Sequence, residues 1–371
     1  MADEEKIYKC PSCGGFLEWS PSDQKLKCPY CGSEYDVSYF EKDEQEARQD
    51  IDSKDYQKGQ TTEEAGASAQ ATDDSGIDPN DLRVYRCQNC GAEIVTDKTT
   101  AATTCAFCGS PVVLIEQFDT TFRPKWIVPF RVDREKVTQI YREYIKSRPF
   151  TPGTFLSSAT IEKIRGVYIP FWLYGMTMQG DLTARGERIF TRSDSRYIYT
   201  THQVFQLRRA GTLQVQNLPV DASSRTPDDA MDSIEPFDFK DKKPFKMSYM
   251  PGFYAERYDQ DVNFCHERAI RRADQTMHDE LMRTTGGYAS VQVLNENEGQ
   301  AGRNGSADYA MLPVYLLSVG YAGKNYLFAI NGQTGRIVGD VPVSKGKAAG
   351  LTLLVFGITY VVCLLLMMFV F

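Results

Sequence analysis

Eight cysteines stand in four Cys-x-x-Cys pairs: Cys10/Cys13, Cys28/Cys31, Cys87/Cys90 and Cys105/Cys108. The first two pairs have fourteen residues between them, and so do the last two. Thiolates bind Zn²⁺ tetrahedrally, and two knuckles joined by a short hairpin supply the four sulfurs of a closed site. The spacing occurs twice, so two structural Zn²⁺ ions are expected, on Cys10, Cys13, Cys28 and Cys31 and on Cys87, Cys90, Cys105 and Cys108. A redox dithiol or a disulfide is the competing reading, and the matching of each pair to another at this spacing argues against it.

The residues around the sulfurs suit knuckles. In Cys10-Pro11-Ser12-Cys13-Gly14 and Cys28-Pro29-Tyr30-Cys31-Gly32, proline fixes φ after the first cysteine and glycine permits a positive φ after the second. The second array keeps Gly91 and Gly109 but has Gln88 and Ala106 in place of proline. Neither array carries enough apolar residues for a core of its own, so metal is expected to supply folding energy, about 10 kcal/mol per site.

Such modules need positioning. Residues 6–40 form the first ribbon, with Tyr8, Phe16, Leu26, Tyr35 and Val37 as its small core. Residues 41–81 hold thirteen Asp/Glu against four Lys/Arg, almost without large apolar side chains, and read as an acidic disordered linker. Residues 82–115 form the second ribbon, whose entry Val84-Tyr85-Arg86-Cys87 parallels Ile7-Tyr8-Lys9-Cys10. The apolar run Val112–Ile115 is expected to fix this second ribbon to the domain C-terminal to it, leaving the first loosely tethered.

Residues 120–345 read as one α+β domain built on an antiparallel sheet. Asp133 caps a helix to Lys146, with Val137, Ile140, Tyr141 and Tyr144 on one face. A shorter helix is expected over 158–165. Residues 167–220 alternate as strands interrupted at Gly180, Gly186 and Gly211, and 222–250 read as a surface excursion. A long amphipathic helix spans 262–283 with Ile270, Ala273, Met277 and Leu281 inward, and strands are expected at 288–295, 310–320, 325–331 and 336–341. The phrases Ile127-Val128-Pro129-Phe130, Tyr168-Ile169-Pro170-Phe171 and Met311-Leu312-Pro313-Val314 resemble one another and are assigned to three strands of that sheet.

Residues 348–371 carry no charge, and twenty-four residues at 1.5 Å each span roughly 36 Å, enough for a hydrocarbon core about 30 Å thick. A single-pass, tail-anchored membrane protein is expected. Lys345 and Lys347 precede the span, which puts the N-terminal bulk in the cytoplasm. Unpaired thiols and the absence of a cleavable signal at Met1–Lys9 agree.

Charge and motifs restrict function. The net charge is −7, but the acidic segment alone contributes −9, and neither ribbon is basic as nucleic-acid modules are. There is no HExxH, GxSxG or phosphate-cradling glycine loop. His202, His266 and His278 do not converge. Cys265-His266-Glu267 would place a thiol and a base on diverging sides of a helix. Arg268, Arg271 and Arg272 read as a solvated, ion-paired face.

The knuckles Cys-Pro-x-Cys-Gly and Cys-Pro-Tyr-Cys-Gly resemble the TFIIB-type zinc ribbon. The whole arrangement is similar to bacterial membrane-associated proteins labelled as TFIIB-type zinc ribbon-containing, and Leu312–Tyr315 and Asn331–Gly335 look familiar from that group. The resemblance implies zinc on the eight cysteines and a cytoplasmic protein held at a membrane. Some of that group carry a replication-restart helicase label, for which this chain has no nucleotide-binding loop. The expected function is a membrane-anchored module with structural zinc. It would bind the bilayer through 348–371 and a protein partner through the ribbons, as a scaffold rather than an enzyme. The alternative is a zinc-ribbon protein that holds nucleic acid near the membrane.

Overall fold

The β-branched and aromatic run from residue 165 to residue 221 folds into the two strands around which everything else is arranged. The structure, a computed structural model, describes residues 5–40, 82–87, 89–90, 93–97, 99–105, 108, 110–114, 123–297 and 305–370. The acidic segment 41–81 lies outside the described residues.

The central strand Arg165–Ser193 is 29 residues long and pairs antiparallel with Ile198–Asp221, from Phe171 opposite Asp221 to Ser193 opposite Ile198. On its other edge it pairs with Ser306–Tyr321 near its start and with Ser290–Asn297 further along. Lys324–Asn331 and Ile337–Gly339 continue that side. The glycines expected to interrupt these strands do not break them. A Cβ on Gly180 would lie 2.9 Å from Met277 Cγ, so glycine lets the long helix approach the strand there.

The result is an α+β protein with a twelve-stranded mixed sheet. It is not purely antiparallel. The three Pro-containing phrases are neighbours, as expected from their likeness, but Trp126–Ile127 runs parallel to Ala310–Met311 while Tyr168–Ile169 runs antiparallel to Leu312–Pro313.

Helix Arg134–Lys146 begins at Asp133, whose carboxylate accepts from the Lys136 N–H at 2.7 Å. It buries Val137, Tyr141 and Ile145 in the largest core, where Phe130, Phe155, Phe253 and Phe328 meet. The next helix is short, Ser158–Ile161. Helix Val262–Arg283 is capped by Asp261 and buries Cys265, Ala269, Ala273, Met277 and Leu281 against Met178, Leu182, Ala184 and Leu207. Ile270 is only half-buried. Beyond this helix the paired strands continue unsupported as a two-stranded arm.

Two expectations are corrected. Residues 222–250 are not a surface excursion: Met231, Ile234 and Phe237 pack with Ile169, Phe171 and Leu312. Met247, Tyr249 and Met250 enter the main core. Apolar residues dispersed among charges hid this burial.

Nor is the first cysteine module loosely tethered. Its leading strand Glu5–Lys6 pairs with Val113–Leu114 of the second module, and the second module joins the main sheet through Ala102 opposite Ala255. The Trp19 backbone N–H donates to Pro251 O at 2.9 Å, and the Trp19 ring meets Tyr249 at 4.9 Å. Gln24 Nε2 donates to Phe130 O at 2.7 Å. Leu17, Trp19 and Phe40, absent from the expected module core, are buried here, whereas Phe16 and Tyr35 are half-buried.

Helix Lys345–Val370 is long and apolar enough to cross a membrane, with a mean hydropathy of 2.4 over its best window and none of that window buried.

Candidate metal centres

In the first module, short strands Glu18–Ser20, Lys25–Lys27 and Glu34–Tyr35 form a small sheet that carries the two knuckles. Each knuckle closes with the glycine N–H donating back to the first cysteine, from Gly14 to Cys10 O at 2.8 Å and from Gly32 to Cys28 O at 2.9 Å. Gly14 and Gly32 both take φ +75°, as the local sequence requires. In the second module the Cys105 N–H donates to Ser110 O at 2.9 Å, and Gly91 and Gly109 lie outside the described residues.

The structure brings all eight candidate ligands into two groups, Cys10, Cys13, Cys28 and Cys31, and Cys87, Cys90, Cys105 and Cys108, with the sulfurs of each group within 4.8 Å of one another. Cross pairs stand at 3.6 Å (Cys10–Cys31), 3.5 Å (Cys13–Cys28) and 3.8 Å (both Cys87–Cys108 and Cys90–Cys105). A disulfide needs about 2.05 Å. A tetrahedral ion with metal–sulfur bonds of about 2.3 Å demands sulfur–sulfur edges of about 3.8 Å. Both clusters can therefore hold a metal ion.

Hydroxyls that the cysteine spacing does not point to surround the sulfurs. Tyr35 Oη lies 3.7 Å from Cys10 Sγ and 2.6 Å from Ser12 Oγ. Ser33 Oγ is 3.2 Å from Cys31 Sγ, and Ser110 Oγ is 3.0 Å from Cys108 Sγ. Ser33 and Ser110 occupy the same place in the repeat, two residues after the last cysteine, and that Cys-Gly-Ser register is the signal that could have found them. Burial raises the Cys10 and Cys108 thiols, but Tyr35 and backbone N–H groups at Cys10, and Ser110 at Cys108, outweigh it and bring each to about 6. Donors that favour thiolate favour metal ligation.

Among the described residues, no other set of candidates converges. His202 Nδ1 pairs with Glu187 at 2.6 Å, His278 Nδ1 pairs with Glu296 at 2.8 Å, and the His266 ring faces Tyr174. Cys265 points inward and His266 outward, and burial pushes the Cys265 thiol up to about 12. Arg268 and Arg272 are ion-paired, with Asp228, Asp232 and Glu235 rather than with Glu267.

Asp221 is buried beneath this network. Desolvation pushes its carboxyl from 3.8 to about 7, although the Thr226 hydroxyl (2.6 Å) and the Ser223 N–H (3.1 Å) donate to it. A carboxyl pKa raised on folding contributes stability that is complete below about pH 4 and lost as pH rises to about 7. The three units correspond to about 4 kcal/mol. Asp221→Asn should remove that dependence. Denaturation of both proteins across this range is expected to show a difference in stability that shifts toward the variant as pH rises. A constant difference would mean that Asp221 is ionised in the folded protein.

The fold and clusters define an α+β protein with two four-cysteine clusters able to hold metal ions and one candidate membrane-spanning helix. The chain is similar to a Bacillus subtilis (strain 168) protein described as "Uncharacterized protein YdjG", at 29% identity over 314 residues that cover 71% of this chain and 92% of the relative. No protein-family profile matches the chain. No solved structure matches it either.

Proposed function

We propose that this protein is a membrane-anchored cytoplasmic adaptor whose two zinc ribbons, of the TFIIB type, brace a β arm that binds a protein partner. Four thiolates at tetrahedral spacing select zinc or an iron–sulfur centre, and a mononuclear site with no redox partner is the structural zinc pattern. Zinc would be held by Cys10, Cys13, Cys28 and Cys31 and by Cys87, Cys90, Cys105 and Cys108, and it would supply folding energy rather than chemistry.

One observation carries the adaptor reading: the far end of the arm exposes Ile189, Phe190, Tyr197, Ile198, Tyr199 and Val204, each at least 46% accessible. Grouped exposed apolar side chains mark interaction sites. Arg188, Arg192 and Arg196 lie among them, so the partner surface is expected to be apolar with acidic edges. The ribbons, docked against the sheet, act here as supports for the arm.

Phe190→Ser with Ile198→Ser should leave folding intact, since both side chains face solvent, and should cut the yield of partner crosslinked to the arm in native membranes by about tenfold, as loss of two hot-spot side chains does. An unchanged crosslinking pattern would refute the assignment. The same arginines interleaved with Phe190, Tyr197 and Tyr199 also suit single-stranded nucleic acid. Binding of an oligonucleotide that weakens steeply with salt would favour that second reading.

A further inference from the structure

We propose that the surface from which the apolar helix leaves the sheet domain is a binding site for anionic phospholipid headgroups, made by Lys146, Arg148, Lys324, Lys345 and Lys347. The inference rests on the membrane-spanning reading of Lys345–Val370 and adds a ligand to it.

The helix does not leave the domain on a slack connection. The Ser344 N–H donates to Phe150 O at 2.8 Å, and Lys347 Nζ donates to Thr151 O at 2.7 Å. The first turn of the apolar helix is thereby held beside the loop at the end of helix Arg134–Lys146. That helix ends in Lys146, and Arg148 stands just beyond it with its guanidinium 3.5 Å above the Tyr144 ring. Phe155, just past the loop, packs against Tyr321 and Tyr326, which places the turn carrying Lys324 on the same side.

The charge balance of this surface differs from that of the rest of the molecule. Arg268, Arg272 and Arg131 are each bonded to carboxylates. Lys146, Lys324 and Lys345 are exposed and have no acidic partner among the described residues. The acidic side chains near them are Glu143, which accepts from Gln139 at 2.8 Å, and Asp340. Leu156 and Val343 are exposed beside the cations, at 38% and 65%. Unpaired cations with apolar neighbours at the foot of a spanning helix face the headgroup layer, where each cation gains from negative lipid charge. Ammonium groups on separate segments and one guanidinium match scattered phosphates, not a single compact anion.

The arm points the other way. Residue 165 lies at this end of the sheet, and the arm's tip is roughly 90 Å of strand away. The site therefore clamps the domain to the bilayer while presenting the arm to the aqueous phase.

The test uses the full chain reconstituted into vesicles of phosphatidylcholine alone or mixed with phosphatidylglycerol, read by backbone hydrogen exchange. Residues 146–156 and 321–326 should exchange roughly tenfold more slowly with the anionic lipid. Replacing Lys146, Lys324 and Lys345 together with glutamine should abolish that difference while leaving the protein in the vesicles. Equal exchange in both lipids overturns the headgroup site but leaves the anchor standing. Protection produced by inorganic phosphate in neutral vesicles would mean a free-anion site and also overturns it. A protein that floats with neither vesicle type refutes the anchor and the headgroup site together.

Discussion

Cys28→Ser is expected to lower bound zinc from two ions to about one per chain and to unfold residues 7–40 while the second cluster keeps its metal. Cys28 is fully buried, and the Sγ of Cys13 lies 3.5 Å from its own, so the exposed position opposite cannot compensate. A hydroxyl is a poor substitute for a thiolate toward a soft-liganded ion. A structural site is worth on the order of 10 kcal/mol, as much as a whole domain commonly has to lose. The damage should not stay local. Trp19, Leu17 and Phe40 belong to the core that contains Tyr249 and Phe130, so unfolding this module uncovers the apolar surface beneath it. Elemental analysis gives the stoichiometry, and hydrogen exchange over 7–40 and 245–253 gives the extent. Two zinc ions on the variant, or no tightly held metal on the parent, would refute the site.

Ending the chain after Ser344 is expected to move the protein from the membrane pellet to the supernatant. Eleven Leu, Ile, Phe and Val residues lie between Leu351 and Leu366. At about 0.3–0.6 kcal/mol each on insertion scales they contribute roughly 5 kcal/mol, more than a thousandfold in partition. All eleven are exposed in the structure, so removing them uncovers no core. The basic surface at the helix foot would then hold the protein only to anionic membranes, and only at low salt. Fractionation in high salt separates the two contributions. Pelleting that persists there would mean that Lys345–Val370 is not the anchor.

The eight cysteines, the helix from Arg134, the helix from Val262 and the apolar C-terminal helix were legible in the sequence because each is written in local spacing. A knuckle needs two cysteines, a turn and a glycine close together in the chain. An amphipathic helix needs only its own periodicity, and Asp133 and Asp261 mark both starts. The length of the central strand was not legible, because Gly180 and Gly186 look like breaks until Met277 and Tyr288 are seen to occupy the space they leave.

The sequence by itself determined which side chains can hold metal and which segment is apolar enough to span a bilayer. Tertiary structure decided the rest: Trp19 against Tyr249, Lys6 opposite Val113, Met231 beneath Phe171, and Lys324 brought near the foot of the C-terminal helix. These contacts join residues tens to hundreds of positions apart. Periodicity along one chain specifies which face of an element is apolar, but not which other element will cover it. That choice is made only when strands pair and cores close.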